Sequence, residues 1–502
     1  MVSLWLDSAP QIPSDPFTAE AGYDTVVVGA GLTGLGTAVL LARAGHRVAV
    51  LEARSTGAVT TGNTTAKVSL LQGRKLSRIL AHHSPQAVRS YVAAQREAQD
   101  WLLGFCAEHA VAFQHRDAYS YATTDKGAET LRAELHACTV AGLDVELNSA
   151  AAELPFAVTG ALKLAHQAQI HPMHVLAALV RELRTHGGVL AERVRATDVR
   201  SKHDATGRRL SVHTDTGRVG ADNVVLATGI PFLNRGGHFS VLKPQRSYAV
   251  AFQTAGPVPA GMYLSVDTPT RSLRSAGHND RELLIVGGNG HVVGRKEHPK
   301  EQFEDLVRWT RSTFPGAEPT HSWSAQDYEP AGALPYVGRL SPSDQWIQTA
   351  TGFDKWGMTN AIAAALALSG QILDGRPEWA QDLYKVRISP TDAASTVETN
   401  AAVGARMAIG WAEAMVQSAG SPPPEGQGVV YRSHGKPAGV STVGGVTRRV
   451  SAVCTHLGGI LEWNDAECSW DCPLHGSRFS PEGSRLEGPA VRDLGAPEAG
   501  AG

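Results

Sequence analysis

Residues 23–52 read YDTVVVGAGLTGLGTAVLLARAGHRVAVLE, and this stretch decides the architecture of most of the chain. Tyr23–Val28 is rich in β-branched residues, which suit an extended strand, and it runs directly into Gly29-Ala30-Gly31-Leu32-Thr33-Gly34. A helical stretch over 36–44 ends at Gly45, and a second apolar run over 46–51 closes on Glu52. Strand, glycine turn, helix and strand form a β-α-β unit, which implies a parallel sheet.

Outside this unit, bulk properties mainly exclude. A chain of 502 residues exceeds the size at which one core stops growing, so at least two domains are expected. The net charge of −2 offers no broad basic field, so nucleic acid and anionic membrane are not expected partners. The first residues lack a basic n-region with a sustained apolar run, and the apolar stretch 361–368 is too short to span a bilayer. A cytoplasmic protein without a transmembrane segment is the expectation. The five cysteines, Cys106, Cys138, Cys454, Cys468 and Cys472, are too sparse for a disulfide framework. Three of them crowd near the C-terminus, which points to a local metal site.

That site is the pattern C-x-H-x15-C-x2-H formed by Cys454, His456, Cys472 and His475. Two loops each offer one thiol and one imidazole, the donor set of a Rieske [2Fe–2S] centre, where two thiolates hold one iron and two histidines the other. Glycines 458, 459 and 476 let the loops turn tightly, and Pro473 stiffens the second. A structural zinc site fits less well, because such sites group like ligands and carry the histidines on a helix. Cys468 lies near these loops without a place in the pattern and reads as a small buried side chain.

The glycines of 29–34 match G-x-G-x-x-G. Gly29 makes the tight turn, Gly31 admits a pyrophosphate, Gly34 lets helix pack on strand, and Glu52 is placed to accept from a ribose hydroxyl. The helix N-terminus then faces the phosphates. FAD is favoured over NAD for three reasons. A second strand, 222–226, ends in Ala227-Thr228-Gly229; the segment TGFDKWGMT at 351–359 precedes an Ala-rich helix whose N-terminus suits the reduced flavin ring. A one-electron cluster also needs a partner able to split electron pairs, which flavin does readily.

With these motifs in view, residues 23–390 resemble the D-amino-acid-oxidase-like family of FAD-dependent oxidoreductases, which includes glycine and sarcosine oxidases. The resemblance rests on VVVGAGLTGLGTAVLLARAGHRVAVLEA, the TTGNTTAK loop at 60–67, VVLATG at 224–229 and TGFDKWGMTNA. It implies that Thr64, Thr65 and Lys67 lie near FAD and that Gly357, Met358 and Thr359 lie near its isoalloxazine. It also implies an interleaved antiparallel sheet over the substrate side, with strands at 244–254 and 283–294. Relatives that attach FAD covalently use a His or Cys in the 60–67 loop; neither occurs here, so a non-covalent flavin is expected. Where relatives carry an acid near position 332, this chain has Gly332.

Residues 454–483 are similar to Rieske proteins of quinol-oxidising respiratory complexes and to Rieske modules fused to flavoproteins. The respiratory proteins carry a disulfide between the cluster loops; the matching positions here are Gly459 and Leu474. Ser477 matches their Ser donor, whereas Phe479 replaces their Tyr, so a lower cluster potential is expected.

The fold expected is therefore α/β plus α+β: an N-terminal arm over 1–22, a Rossmann-like FAD region with its interleaved substrate sheet over 23–390, a helix and Pro/Gly-rich linker over 391–427, and a small all-β Rieske domain over 428–496. Arg246 and Tyr248 are candidates for holding a substrate carboxylate, with an interdomain salt bridge as the other reading of Arg246. His291 is a candidate for orienting substrate, or a satisfied structural histidine. The expected activity is oxidation of a small amine, amino acid or similar substrate by FAD, with electrons passing through the cluster to an external acceptor, a small redox protein or quinone. The alternatives are reverse flow, from a reduced carrier through the cluster to FAD, and a non-enzymatic redox-sensing module.

Overall fold

The computed structural model describes residues 2–148, 153–201, 203–384, 390–416 and 421–497. At its centre, strand Gly22–Val28 pairs in parallel with Val48–Glu52 on one side and Arg218–Leu226 on the other. Val189–Glu192 and Ile347–Thr351 extend this sheet in parallel, and Tyr336–Arg339 closes an edge antiparallel. Strand faces this apolar must be covered on both sides. Helix Leu32–Arg43 covers one face, and its residue Gly36 meets Ile362 and Ala365 of helix Gly357–Ile372. A Cβ on Gly36 would lie 3.2 Å from each of those side chains, tighter than ordinary contact, so glycine lets the two helices approach this closely without displacement.

The second sheet interleaves with the first in sequence. Its strands run in the order Glu318–Pro330, Leu242–Gln253, Arg281–Val292, Arg271–His278, Met262–Ser265, Phe113–Ala122, Gly160–Ile170 and Lys67–Val68, with Glu146–Asn148 paired to Gly160–Ile170. The strands expected at 244–254 and 283–294 are its second and third. Pairing is antiparallel except between Met262–Ser265 and Phe113–Ala122, which run parallel. Helix Lys300–Thr313 packs its Phe303 and Leu306 against the outer face.

The arm is more ordered than its irregular sequence suggests. Ser3 caps a single helical turn, Leu4–Asp7, which drives Trp5 into the core at 2 % exposure. The Trp5 indole donates to Thr64 O at 2.6 Å, so the arm buttresses the 60–67 loop.

Beyond helix Pro390–Val416 come two small antiparallel sheets. One contains Gly428–Ser433, Lys436–Val443 and Val446–Ser451; the other contains Glu462–Asn464, Ser469–Asp471, Arg478–Phe479 and Arg485–Glu487. Of the linker expected at 418–428, residues 418–420 lie outside the described residues. The remainder is tied to this module: Glu425 accepts from the amides of Gly444 and Gly445, and Trp463 Nε1 donates to Gly426 O.

Candidate functional site

A cavity of about 820 Å³ runs between the two large sheets and reaches the C-terminal module. Its dinucleotide end is built by the first β-α turn. Gly29 has φ +107°, and a Cβ there would lie 2.5 Å from Ala227 O. A Cβ on Gly34 would lie 1.9 Å from Gly29 O, so only glycine lets the helix start this close to the strand. Gly31 is the N-cap and opens the first turn to the cavity. Glu52 accepts from Ala30 N and Arg54 N, both at 2.8 Å, which fixes its carboxylate at the cavity wall with lone pairs to spare for hydroxyls. Burial raises its pKa despite those two amides.

Thr64, Thr65, Lys67, Gly229, Gly357 and Met358 line the same cavity. Thr359 does not. One helical step turns it away, and its hydroxyl donates to Gln95 Oε1 at 2.5 Å and accepts from Gln72 Nε2. The expectation for Thr359 is thus corrected to a buried polar cluster behind the cavity. Lys67 is buried, and its ammonium donates to Tyr263 O and Ser272 Oγ at 2.6 and 2.7 Å. No carboxylate lies within ion-pair distance of it among the described residues, and burial, with Arg274 nearby, holds its pKa well below the ordinary lysine value. Asp327 accepts from Lys355 N and Tyr328 N at the same end, and burial lifts its pKa to about 6.

The cavity is thus shaped for a dinucleotide: a glycine cradle, a helix start whose N-cap, Gly31, has no side chain, an acid for ribose and a second helix start, at Gly357, at the far end. FAD, when bound, supplies hydride and single-electron chemistry that no side chain here can.

In the C-terminal module, Cys454, Cys472 and His475 are buried, and His456 is half-buried. The two imidazoles stand 5.1 Å apart and nearly perpendicular. Both Nδ1 atoms are buried without a hydrogen-bond partner among the described residues, and each imidazole has a pKa of about 4, lowered chiefly by burial. Neutral rings with an unused inward nitrogen are what metal ligation needs. The amides of His456 and Leu457 point at Cys454, and those of Leu474 and His475 at Cys472. The hydrogen bond between the two thiols holds Cys454 below the ordinary thiol value and pushes Cys472 above it. No three of the four ligand atoms lie within 4.8 Å of one another. A single tetrahedral zinc, with bonds of about 2.0–2.3 Å, would draw them closer than that. The set fits a two-iron cluster.

Ser477 donates toward Cys454 and accepts from Ala490 N at 3.0 Å. Phe479 is fully buried in the core around the thiols and has no hydroxyl to give. A Cβ on Gly459 would lie 2.6 Å from Leu474 Cδ1, so the two positions face each other and pack where a disulfide would otherwise span.

Arg246 requires correction as a substrate ligand. It sits on the face of its strand opposite Gln245 and Ser247, which line the cavity, and is itself absent from the wall. Its guanidinium joins the C-terminal module through Glu467 and Glu487 at 2.9 and 3.2 Å. Tyr248 and His291 reach the cavity wall, but they satisfy each other: Tyr248 Oη and His291 Nε2 are 2.9 Å apart, and His291 Nδ1 is 3.0 Å from Val292 O.

Several residues around the two sites carry no local signal. Residues 485–488, 490 and 491 of the C-terminal module wall the flavin cavity. Phe239 packs edge-on against both His456 and His475, and Asn234 Oδ1 lies 2.8 Å from His456 Nε2.

Residues 24–370 match the FAD dependent oxidoreductase family and residues 416–498 match the Rieske [2Fe-2S] domain. The Bacillus subtilis protein YhfW, whose name describes a Rieske 2Fe-2S iron-sulfur protein, is 31% identical over 98% of this chain and 96% of its own length. Among solved structures, glycine oxidase from Geobacillus kaustophilus aligns with a TM-score of 0.62 at 18% identity, covering 74% of this chain and 99% of that one. L-proline dehydrogenase from P. horikoshii aligns at 0.61 and 17%, covering 73% and 97%. These structures share the fold of about three quarters of the chain. No helix among the described residues is long and apolar enough to cross a membrane. Glycine cradle, paired sheets, thiol–imidazole loops and family matches agree: the chain belongs to the FAD-dependent oxidoreductases and carries, at its C-terminal end, a Rieske [2Fe–2S] domain.

Proposed function

We propose that the protein is a cytoplasmic dehydrogenase that oxidises a small amine, amino acid or similar substrate with non-covalent FAD. Electrons then pass through the Rieske cluster to an external acceptor. One observation carries this reading: the second cluster loop is docked on the strand whose Ala325, Asp327 and Tyr328 wall the flavin cavity, with Gly476 O accepting from Gln326 Nε2 at 2.8 Å. A redox module placed there serves the flavin. Gly29, Gly31, Gly34, Glu52, Thr64, Thr65, Gly229, Gly357 and Met358 would hold FAD, and Cys454, His456, Cys472 and His475 the cluster.

Substrate binding falls to the remaining wall. Lys67 is a buried amine with no acid within ion-pair distance among the described residues, so a substrate carboxylate would find its counter-charge there, with Ser272 beside it. Arriving charge would favour the protonated amine and hold the anion in one orientation. The acceptor, a small redox protein or a quinone, would approach the first cluster loop. There Leu457, Met407 and Trp411 are exposed, and the Trp411 indole donates to Gly458 O.

The test is anaerobic mixing of the holoprotein with amines and amino acids. Flavin bleaching followed by the EPR signal of the reduced cluster is expected. If no substrate bleaches the flavin while an external reductant reaches it only through an intact cluster, electrons run the other way and the proposal fails.

A further inference from the structure

The two cofactor sites are joined by a buried hydrogen-bonded bridge. Tyr328 lines the flavin cavity, and Gln326, two residues earlier on the same strand, is 2 % exposed. Gln326 Nε2 lies 2.9 Å from Tyr328 Oη and 2.8 Å from Gly476 O. Gly476 follows the cluster ligand His475 directly. The backbone of Gln326 is held from the cavity side as well, since Thr60 Oγ1 donates to Gln326 O at 2.8 Å and Thr60 also lines the cavity.

The surfaces are shaped to bring this amide to this carbonyl. Gly476 has φ +81°, and a Cβ there would lie 2.6 Å from Pro244 and 2.8 Å from Gln326 Nε2. Gly294 repeats the arrangement, because its Cβ would lie 2.8 Å from Pro473 N. Arg295 Nε donates to Pro473 O at 3.2 Å, and the Arg246 pairs with Glu467 and Glu487 close the same junction. A further crossing, Asn234 to His456, lies at the exposed rim, where water competes for both partners.

We propose that Gln326 is the positioning residue of internal electron transfer. It holds Gly476 against Tyr328, so that electrons cross between flavin and cluster within one chain along this contact. In the forward sense reduced flavin loses one electron and one ferric iron of the oxidised cluster becomes ferrous. No bond between heavy atoms forms or breaks, and the flavin releases its proton as it is reoxidised. The inference extends the proposed function but does not depend on its substrate or on the direction of flow.

Single electrons from laser-photoreduced 5-deazariboflavin, delivered to the full chain loaded with FAD and cluster, test it without any substrate. Their redistribution between flavin and cluster should be first-order and independent of protein concentration. Gln326→Met should slow it about tenfold, the rate equivalent of losing one buried hydrogen bond, while FAD content and the EPR g-values of the cluster stay unchanged. Hydrogen exchange over 473–477 should quicken in the same variant. Tyr328→Phe, which removes the other partner of the amide, should slow the redistribution in the same sense and serves if Gln326→Met does not fold. Wild-type rates in both variants, a rate proportional to protein concentration, or a greater slowing by Asn234→Ala would each overturn the proposal. A protein that reduces its cluster this way but accepts electrons from no amine would fail only as a dehydrogenase.

Discussion

Arg246 of the flavin region and Glu467 of the Rieske domain meet at 2.9 Å, with the Arg246 side chain 1 % exposed. Arg478 shares the same acids, lying 3.0 Å from Glu467 and 2.6 Å from Glu487, and reaches Asp471 at 3.0 Å. Two guanidinium groups and three carboxylates are thus withdrawn from water together at the junction. Such a cluster is stable only while every member keeps its partners.

Arg246→Met should therefore loosen the Rieske domain without touching the flavin cradle. Breaking one partner of a buried pair costs about 3–5 kcal/mol. Calorimetry of the loaded protein should show the Rieske domain melting before the flavin region, in place of one shared transition. An unchanged melting profile would mean that the pairs contribute nothing to docking.

Cys472→Ser should leave the chain without a cluster and with its FAD. The thiolate is one of four ligands, whereas the neighbours of the glycine cradle and of Glu52, Ala30, Leu32 and Leu51, pack in cores separate from that around the thiols. Iron analysis and flavin absorbance check both halves; loss of FAD along with iron would show that the module props up the flavin site.

The cluster potential should lie below the respiratory type, and Phe479→Tyr should raise it. A new hydrogen bond toward the cluster sulfurs is worth about 1 kcal/mol, or about 40 mV for a one-electron couple. Redox titration followed by EPR measures the shift, and a fall in potential would contradict the packing described around Phe479.

Lys67 makes a pH-dependent contribution whose sign is fixed. Its folded pKa lies below the ordinary lysine value that it regains on unfolding. Between those two values the unfolded chain binds the extra proton, so this contribution makes stability rise with pH across that window. Lys67→Met should remove that rise and stabilise the protein at neutral pH, while weakening the binding of carboxylate substrates. Denaturant midpoints of the two proteins at neutral and mildly alkaline pH make the comparison.

Trp5→Ala should cost about 3–5 kcal/mol, the usual penalty for emptying a large buried site. It should also lower FAD content, because the indole fixes Thr64 O on the cavity loop. Urea denaturation and flavin release assays read the two effects separately.

The features legible in the sequence are those whose partners are near in the chain. Cys454 and His456 share one loop, Cys472 and His475 another, and the spacing of each pair already defines its geometry. Gly29, Gly31 and Gly34 likewise act within one turn. Arg246 was legible as a candidate for an interdomain salt bridge, but the acids it meets were not, since Glu487 lies 241 positions downstream. A bulge between Arg246 and Tyr248 further disturbs the alternation that would reveal which face each side chain takes. Thr359 fails for a helical reason: Gly357, Met358 and Ala361 reach the cavity, and Thr359 is turned off that face toward Gln72 and Gln95. Gln326 lies in a strand whose sequence, SAQDYEP, carries no motif, and its role exists only because Gly476 is folded against it.

The two glycines that let the Rieske domain approach, Gly294 and Gly476, sit on opposite sides of one contact. Neither can acquire a side chain without prying the partners apart, and each also holds a positive φ, +62° at Gly294 and +81° at Gly476, that favours glycine. The fusion is therefore not a modular one. A Rieske domain grafted from a protein lacking the matching surface would fold and bind iron beside the flavin, yet remain electrically disconnected from it.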